Sequence, residues 1–284
     1  MLPPPAATGN IEKAGPAMSV NTVTDRYEGR RALVTGGGSG IGQATVLRML
    51  AEGGHVVAAD VSEAGLKDTA DKAGAGIGRL TTLVVDIADE ASVTEGVAAA
   101  VSALGGLDVL VNAAGILRSS HTHETSLADF NRVVAVNLTG TFLMIREAIP
   151  ALLEGNGAAV VNFSSTSAVF AHPYMAAYAA SKGGIQSMTH ALAAEYAKQG
   201  IRFTAVQPGS ISSGMTDGSG ASRSSVGPGL PADADMSLFV KLAPAIGQGF
   251  AGPETVASVV AMLASDDGRF ITGTEVRVDG GTHF

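Results

Sequence analysis

Tyr178 and Lys182 stand four apart in Tyr-Ala-Ala-Ser-Lys, inside a stretch with a helical pattern, so both side chains project from one face. A phenol beside an ammonium can exchange a proton with a bound molecule. A nearby ammonium favours the phenolate and draws the tyrosine down from its ordinary value of about 10. The same spacing is common on helix surfaces without chemical meaning, so the pair must be weighed with the rest of the chain.

A second group of residues suits phosphate. Thr35-Gly36-Gly37-Gly38-Ser39-Gly40-Ile41-Gly42 follows a short apolar run and leads into a helical stretch. At such a turn, open backbone N–H groups and the positive end of the helix dipole hold a pyrophosphate, and glycines let the backbone come close. A flexible turn without a ligand is the plain alternative, but the place at the first strand–helix junction favours a dinucleotide. Asp60 closes the next apolar run, Val56-Val57-Ala58-Ala59-Asp60, where an acid accepts hydrogen bonds from ribose hydroxyls and repels a 2′-phosphate. It also precedes a helical stretch, which leaves open a role as an ordinary helix cap. No Lys or Arg lies in the glycine turn or just after Asp60, so NAD is expected over NADP.

These groups need a scaffold. Short apolar runs at Ala32–Thr35, His55–Asp60, Leu80–Asp86, Leu107–Asn112, Ala158–Ser164, Ile201–Gln207 and Glu275–Val278 read as buried strands. Helix-length stretches at 41–53, 62–73, 89–104, 127–153, 176–199 and 253–264 alternate with them. The fold class expected is α/β: a single-domain, Rossmann-like, doubly wound parallel sheet of seven strands flanked by helices. Residues 1–26 are rich in proline and read as a disordered tail, with Met18 a possible start, and 27–284 as the folded domain. Residues 214–250 interrupt the pattern with Gly, Ser and Pro. They read either as a substrate lid, with Leu238, Phe239 and Leu242 on one face of an amphipathic turn, or as a surface insertion.

The order of Thr35 to Gly42, Asp60, Asp86, Asn112-Ala113-Ala114-Gly115, Asn137, Ser165, Tyr178-x-x-x-Lys182 and Pro208-Gly209 resembles the short-chain dehydrogenase/reductase family from about residue 28 to 282. The likeness implies that Tyr178 exchanges the proton with the substrate oxygen. It further implies that Ser165, 13 positions earlier, hydrogen-bonds that oxygen, and that Lys182 grips the nicotinamide ribose. It implies as well that Asn137, 41 positions before Tyr178, shapes its helix so that a backbone carbonyl holds a water in a proton path. For the cofactor, the likeness points to Gly36, Ser39, Gly40, Ile41 and Gly42 at the phosphates, and to Asp60 with Val61 at the ribose. Asp86 with Ile87 would meet adenine, and Asn112, Ala113, Ala114 and Gly115 would flank the ribose and support the sheet. Pro208, Gly209, Ile211 and Ser213 would clasp the carboxamide. Ala113, Gln207 and Ser213 stand where Asn, Asn and Thr are more usual, and none of the three removes a catalytic atom. The likeness also implies a homotetramer built on the helices near 127–153 and 176–199.

Composition narrows the classes. A net charge of −8 without a dense basic run argues against nucleic acid and anionic membranes. The lack of cysteine excludes disulfides, thiolate metal sites and Cys nucleophiles, and fits a reducing cytoplasm. No apolar stretch is expected to reach the ~20 residues that span a bilayer, and the N-terminus has no signal layout. His121 and His123 read as loop histidines rather than metal ligands. The partner expected is a small alcohol or ketone, hydroxysteroid-like or 3-oxoacyl-like, taken into a pocket bordered by Ile116, Leu117, Val169, Phe170, His172 and Met175, with Arg118 the one cation nearby. Rival readings are an NAD-sensing binding module of the same fold without chemistry, and a scaffold protein with vestigial NAD binding.

Overall fold

The structure is a computed structural model that describes residues 25–74, 78–213, 215, 229–247 and 249–282. Its strands are β1 (Arg31–Thr35), β2 (His55–Asp60), β3 (Arg79–Val84), β4 (Val109–Asn112), β5 (Ala159–Phe163), β6 (Arg202–Pro208) and β7 (Thr274–Val278). All pair in parallel, in the order β3-β2-β1-β4-β5-β6-β7. The winding reverses between β1 and β4, so a crevice opens beyond their carboxyl ends.

The central strands β4 and β5 are buried throughout, as their Val-rich sequences require when helices cover both faces. The edge strands β3 and β7 are not. Neither has a fully buried residue, and Arg79, Thr82 and Val84 of β3 and Thr274 and Arg277 of β7 are exposed, which corrects the expectation that every strand would be fully enclosed, because an edge strand has helix cover on fewer sides.

The helices are α1 (Gly40–Ala51), α2 (Glu63–Ala73), α3 (Glu90–Leu104), α4 (Leu127–Val134), α5 (Gly140–Leu153), α6 (Ala176–Tyr196) and α7 (Pro253–Ala264). Val46, Met49, Val256 and Val260 carry α1 and α7 onto one face of the sheet, whereas Val93, Val97, Leu143, Met144 and Ala148 carry α3 and α5 onto the other. Starts are marked by caps: Ser62, Asp89 and Ser126 accept N–H bonds from the first turns of α2, α3 and α4, and Pro253 opens α7.

The stretch 127–153 is one continuous helix, with a π-helical segment at Ala135–Thr139 joining α4 to α5. By length and composition it is long and apolar enough to cross a membrane, contrary to the expectation from the apolar runs, because mean hydropathy tolerates a few interspersed polar residues. Half of its most apolar window is packed inside the fold.

Residues 1–24 of the expected tail lie outside the described residues. Its last two belong to the folded part: Arg26 reaches Glu52 at 3.5 Å and Asp267 at 3.3 Å, and Asp25 O accepts the Glu28 N–H.

Candidate active site

A cleft of about 240 Å³ lies beyond the carboxyl ends of the central strands. Its floor is the glycine turn. Gly36 has φ +68°, and a Cβ there would sit 2.8 Å from the backbone nitrogen of Ala114. At Gly42 a Cβ would press to 2.1 Å from the Gly36 carbonyl oxygen, so only glycine lets α1 close on the turn. Gly36, Ser39, Gly40, Ile41 and Gly42 all line the cleft, and the Ser39 side chain caps none of the first-turn N–H groups of α1. That leaves a helix end suited to a pyrophosphate.

Asp60 stands at the rim with both oxygens held: Gly38 N–H donates to Oδ2 at 3.0 Å and Ser62 N–H to Oδ1 at 2.9 Å. The cap of α2 is Ser62, which accepts the Gly65 N–H at 3.1 Å, so the carboxylate of Asp60 is not the cap. Val61, Asp86, Ile87, Ala113, Ala114 and Gly115 complete this end of the cleft. Asn112 does not line it. Its side chain is buried in the sheet, where it donates to Asn162 Oδ1 at 2.9 Å, and Asn162 donates in turn to Thr189. Strand alternation turns Asn112 inward while its neighbours bound the turn.

At the other end are Ser165, Tyr178 and Lys182. The Ser165 hydroxyl is hydrogen-bonded to Tyr178 and accepts the Ser167 N–H at 3.1 Å. Ser164, its neighbour, also lines the cleft, but its hydroxyl donates to the Lys182 carbonyl at 3.0 Å. Lys182 Nζ donates to the Phe163 carbonyl at 2.6 Å and lies 5.6 Å from the centre of the Tyr178 ring. Burial holds the lysine down at about 8, and burial raises the tyrosine above its ordinary value while the Ser165 hydrogen bond pulls it back. The expected lowering of Tyr178 is therefore not a property of the protein alone.

Asn137 is buried beneath this group and does not line the cleft. Its amide grips both sides of one peptide segment, accepting the Ile116 N–H at 2.8 Å and donating to the Ile116 carbonyl at 2.9 Å, and it also donates to Ser181 on α6 at 3.0 Å. The π-helical turn offers this side chain to the loop after β4, and Thr141 donates to the Asn137 carbonyl at 2.7 Å.

Pro208, Gly209, Ile211 and Ser213 line the far wall. That wall is tied to the segment before α7 through Ser212 N–H to Ala251 O at 2.8 Å and Ala251 N–H to Ser210 O at 3.0 Å. Arg132, Val136, Phe163 and Met215 also line the cleft and were not anticipated. For Arg132 the signal was available, since it lies five residues before Asn137 on the same helix.

Of the apolar residues expected around the substrate, Ile116 lines the cleft and Leu117 and Met175 are buried near it. Val169 is exposed, Phe170 packs under the Arg277 guanidinium at 4.9 Å, and Arg118 faces a separate cavity. His172 pairs with the Thr166 hydroxyl at 3.1 Å. Within the expected lid, residues 214, 216–228 and 248 lie outside the described residues. Met236–Leu242 is a 3-10 turn in which Phe239 and Leu242 are half-buried and Leu238 is exposed, so the apolar face is narrower than the α-helical pattern implied.

His121 meets Asp233 of this segment at 2.9 Å. That hydrogen bond raises the histidine above its ordinary value and lowers Asp233 below its own. The contact is thus expected to be complete between about pH 4 and pH 6.5, the unperturbed values, and to fade as pH rises through the raised value of His121. Proton NMR of the His121 ring checks this: Asp233→Asn is expected to return the titration to the ordinary range, and an unchanged midpoint would contradict the contact.

Residues 36–283 match the family model described as enoyl-(acyl carrier protein) reductase. The chain is 35% identical over 256 residues to the 3-oxoacyl-[acyl-carrier-protein] reductase of Thermotoga maritima, with 90% of this chain and 98% of that protein covered. The crystal structure of a short chain dehydrogenase from Mycobacterium paratuberculosis bound to NAD superposes with a TM-score of 0.82 at 32% identity, covering 90% of this chain and 98% of that one. One from Burkholderia cenocepacia in complex with NADP superposes with 0.77 at 32%, covering 91% and 99%. The chain belongs to the short-chain dehydrogenase/reductase family. It is an oxidoreductase of CH–OH groups and the corresponding carbonyls that uses a nicotinamide cofactor. A binding module without chemistry finds no support among these relatives.

Proposed function

We propose that the protein is an NAD-dependent dehydrogenase/reductase of a secondary alcohol or ketone, with Tyr178 as its general acid/base. The observation that carries this reading is the meeting, in one cleft, of the Tyr178 hydroxyl with the Ser165 hydroxyl, with Lys182 buried behind the ring. The cleft suits the cofactor: open first-turn N–H groups stand at the head of α1, Asp60 lies at the ribose end, and Pro208, Gly209, Ile211 and Ser213 form a wall at the other. A bound nicotinamide supplies or accepts the hydride. The chain's own part is positional and protonic. Ser165 donates to the substrate oxygen and orients it, Tyr178 gives that oxygen its proton in reduction and takes it in oxidation, and Lys182 holds positive charge near the phenol. Asn137 keeps Ile116 and Ser181 in place, so the loop after β4 and the catalytic helix share one register.

Asp60 supports NAD rather than NADP. An apolar substrate, hydroxysteroid-like or 3-oxoacyl-like, fits Ile116, Val136 and Met215 along the wall. The same reading includes work in the cytoplasm as a homotetramer, for which exposed Phe142 and Leu153 on α5 and Phe270 before β7 offer apolar contacts. The test is a screen of NADH against cyclic ketones, 3-oxosteroids and 3-oxoacyl thioesters. Loss of NADH absorbance with at least one class is expected, and consumption with none of them, at micromolar enzyme, would sink the substrate assignment.

A further inference from the structure

Among the described residues, Tyr174 is the one non-glycine residue with positive φ, at +65°. A bulky side chain in that conformation is strained, and such strain persists only where surrounding contacts enforce it. The contacts here are specific and come from two separate segments. The Tyr174 carbonyl accepts the Ser120 N–H at 2.9 Å, which ties it to the loop that follows β4. Its hydroxyl accepts the Asp235 N–H at 2.9 Å. Its ring lies between two others: His121 meets it edge-on with centroids 5.2 Å apart, and Phe239 stacks on it at 6.1 Å and 19°. Asp235 and Phe239 belong to the segment 229–247, and His121 itself pairs with Asp233 of that segment.

Tyr174 also immediately precedes Met175, whose carbonyl accepts the Ala179 N–H in the first turn of α6, the helix that carries Tyr178 and Lys182. On its other side Tyr174 lines a second cavity of about 210 Å³ with Arg118, Ser120, Asp129 and Ala177. One side chain therefore joins the segment 229–247, the loop that continues from Gly115 and Ile116 of the cleft, and the start of the catalytic helix.

We infer that Tyr174 is a positioning residue for substrate: its ring and hydroxyl fasten segment 229–247 to the loop that continues from Gly115 and Ile116 of the cleft, and its strained backbone holds that loop against the start of α6. This rests on the reaction proposed above but concerns the positioning of substrate, not proton transfer. It predicts a division of labour between the variants. Tyr174→Gly relieves the strain and deletes the fastening. Tyr174→Phe keeps the strain and the ring contacts and loses only the Asp235 hydrogen bond.

The experiment is hydrogen exchange on residues 229–247 of the NADH complex, alongside kinetics of acetoacetyl-CoA reduction, for native protein and both variants. Tyr174→Gly is expected to speed exchange at Asp235 and Leu238 about tenfold or more, with the central strands unchanged. The KM for acetoacetyl-CoA should rise about tenfold with kcat little altered, because the chemistry keeps its residues. Tyr174→Phe should restore the KM and all protection except at Asp235. If Tyr174→Gly fails to fold, Tyr174→Asn, which tolerates positive φ, takes its place. If acetoacetyl-CoA is not turned over by the native protein, exchange alone decides. Native exchange rates at 229–247 in the glycine or asparagine variant, or a native KM, overturn the inference and leave the role of Tyr178 standing. Retained turnover in a Tyr178 variant would remove that role without touching the exchange result.

Discussion

Replacing Tyr178 with phenylalanine is expected to lower turnover by ~10²–10⁴, the usual loss when a general acid/base is removed. Only the hydroxyl goes. The ring stays packed beside Lys182, and the glycine turn and Asp60 lie at the other end of the cleft, so affinity for NADH is expected to be unchanged. Rate and affinity thus separate, which distinguishes a lost proton donor from a damaged fold. The pH profile adds a second signature. Burial raises Tyr178 and holds Lys182 down at about 8. Reduction, which needs the protonated phenol, is expected to fall on the alkaline side in the native enzyme, and the small residual rate of the variant is expected to lose that limb. Near-native turnover in the variant would show that another group moves the proton.

The second large effect concerns the cofactor. Both carboxylate oxygens of Asp60 are fixed at the rim by Gly38 and Ser62 N–H groups, and the proposed cofactor pose sets that negative charge against a 2′-phosphate. Native protein is therefore expected to bind NADH more tightly than NADPH. Asp60→Ala removes charged hydrogen bonds to the ribose, each worth about 1.5–3 kcal/mol, or roughly 10–100-fold in affinity. It also removes the repulsion toward the phosphate, so NADH binding weakens while NADPH binding improves and the gap closes from both directions. Asp60→Asn, which keeps an acceptor but no charge, should fall between. Fluorescence titration with both reduced cofactors reads this directly, and equal or tighter NADPH binding by the native protein would remove Asp60 from the account.

How far these residues could be read in advance depended on how local their determinants are. The glycine turn was legible because Gly36 and Gly42 answer a steric demand that no other residue meets, and the central strands because burial on both faces leaves unbroken Val-rich runs. Edge strands were less so, since β3 and β7 owe their exposure to their place in the sheet order. The π-helical turn at Ala135–Thr139 leaves the apolar pattern of 127–153 almost intact, so the sequence reads as a plain helix, and the two-sided grip of Asn137 on Ile116 follows from a contact between residues 21 apart. The inward turn of Asn112 and the approach of Lys182 to the Phe163 carbonyl depend on tertiary packing in the same way. Tyr174 lay furthest from reach: positive φ is usually announced by glycine, and here a tyrosine takes it under contacts from two distant segments.

The central claim is that hydride passes between a nicotinamide and the carbonyl carbon of a substrate while Tyr178 supplies the proton. The most direct measurement follows deuterium. NADH labelled with deuterium on the transferred face of C4 is given to the native enzyme with a ketone found in the screen, and the alcohol is analysed by mass spectrometry and NMR. One deuterium on the carbinol carbon, absent when Tyr178→Phe is used at the same concentration and time, is the predicted result. Alcohol formed without deuterium at that carbon, or formed equally fast by the variant, would contradict the account.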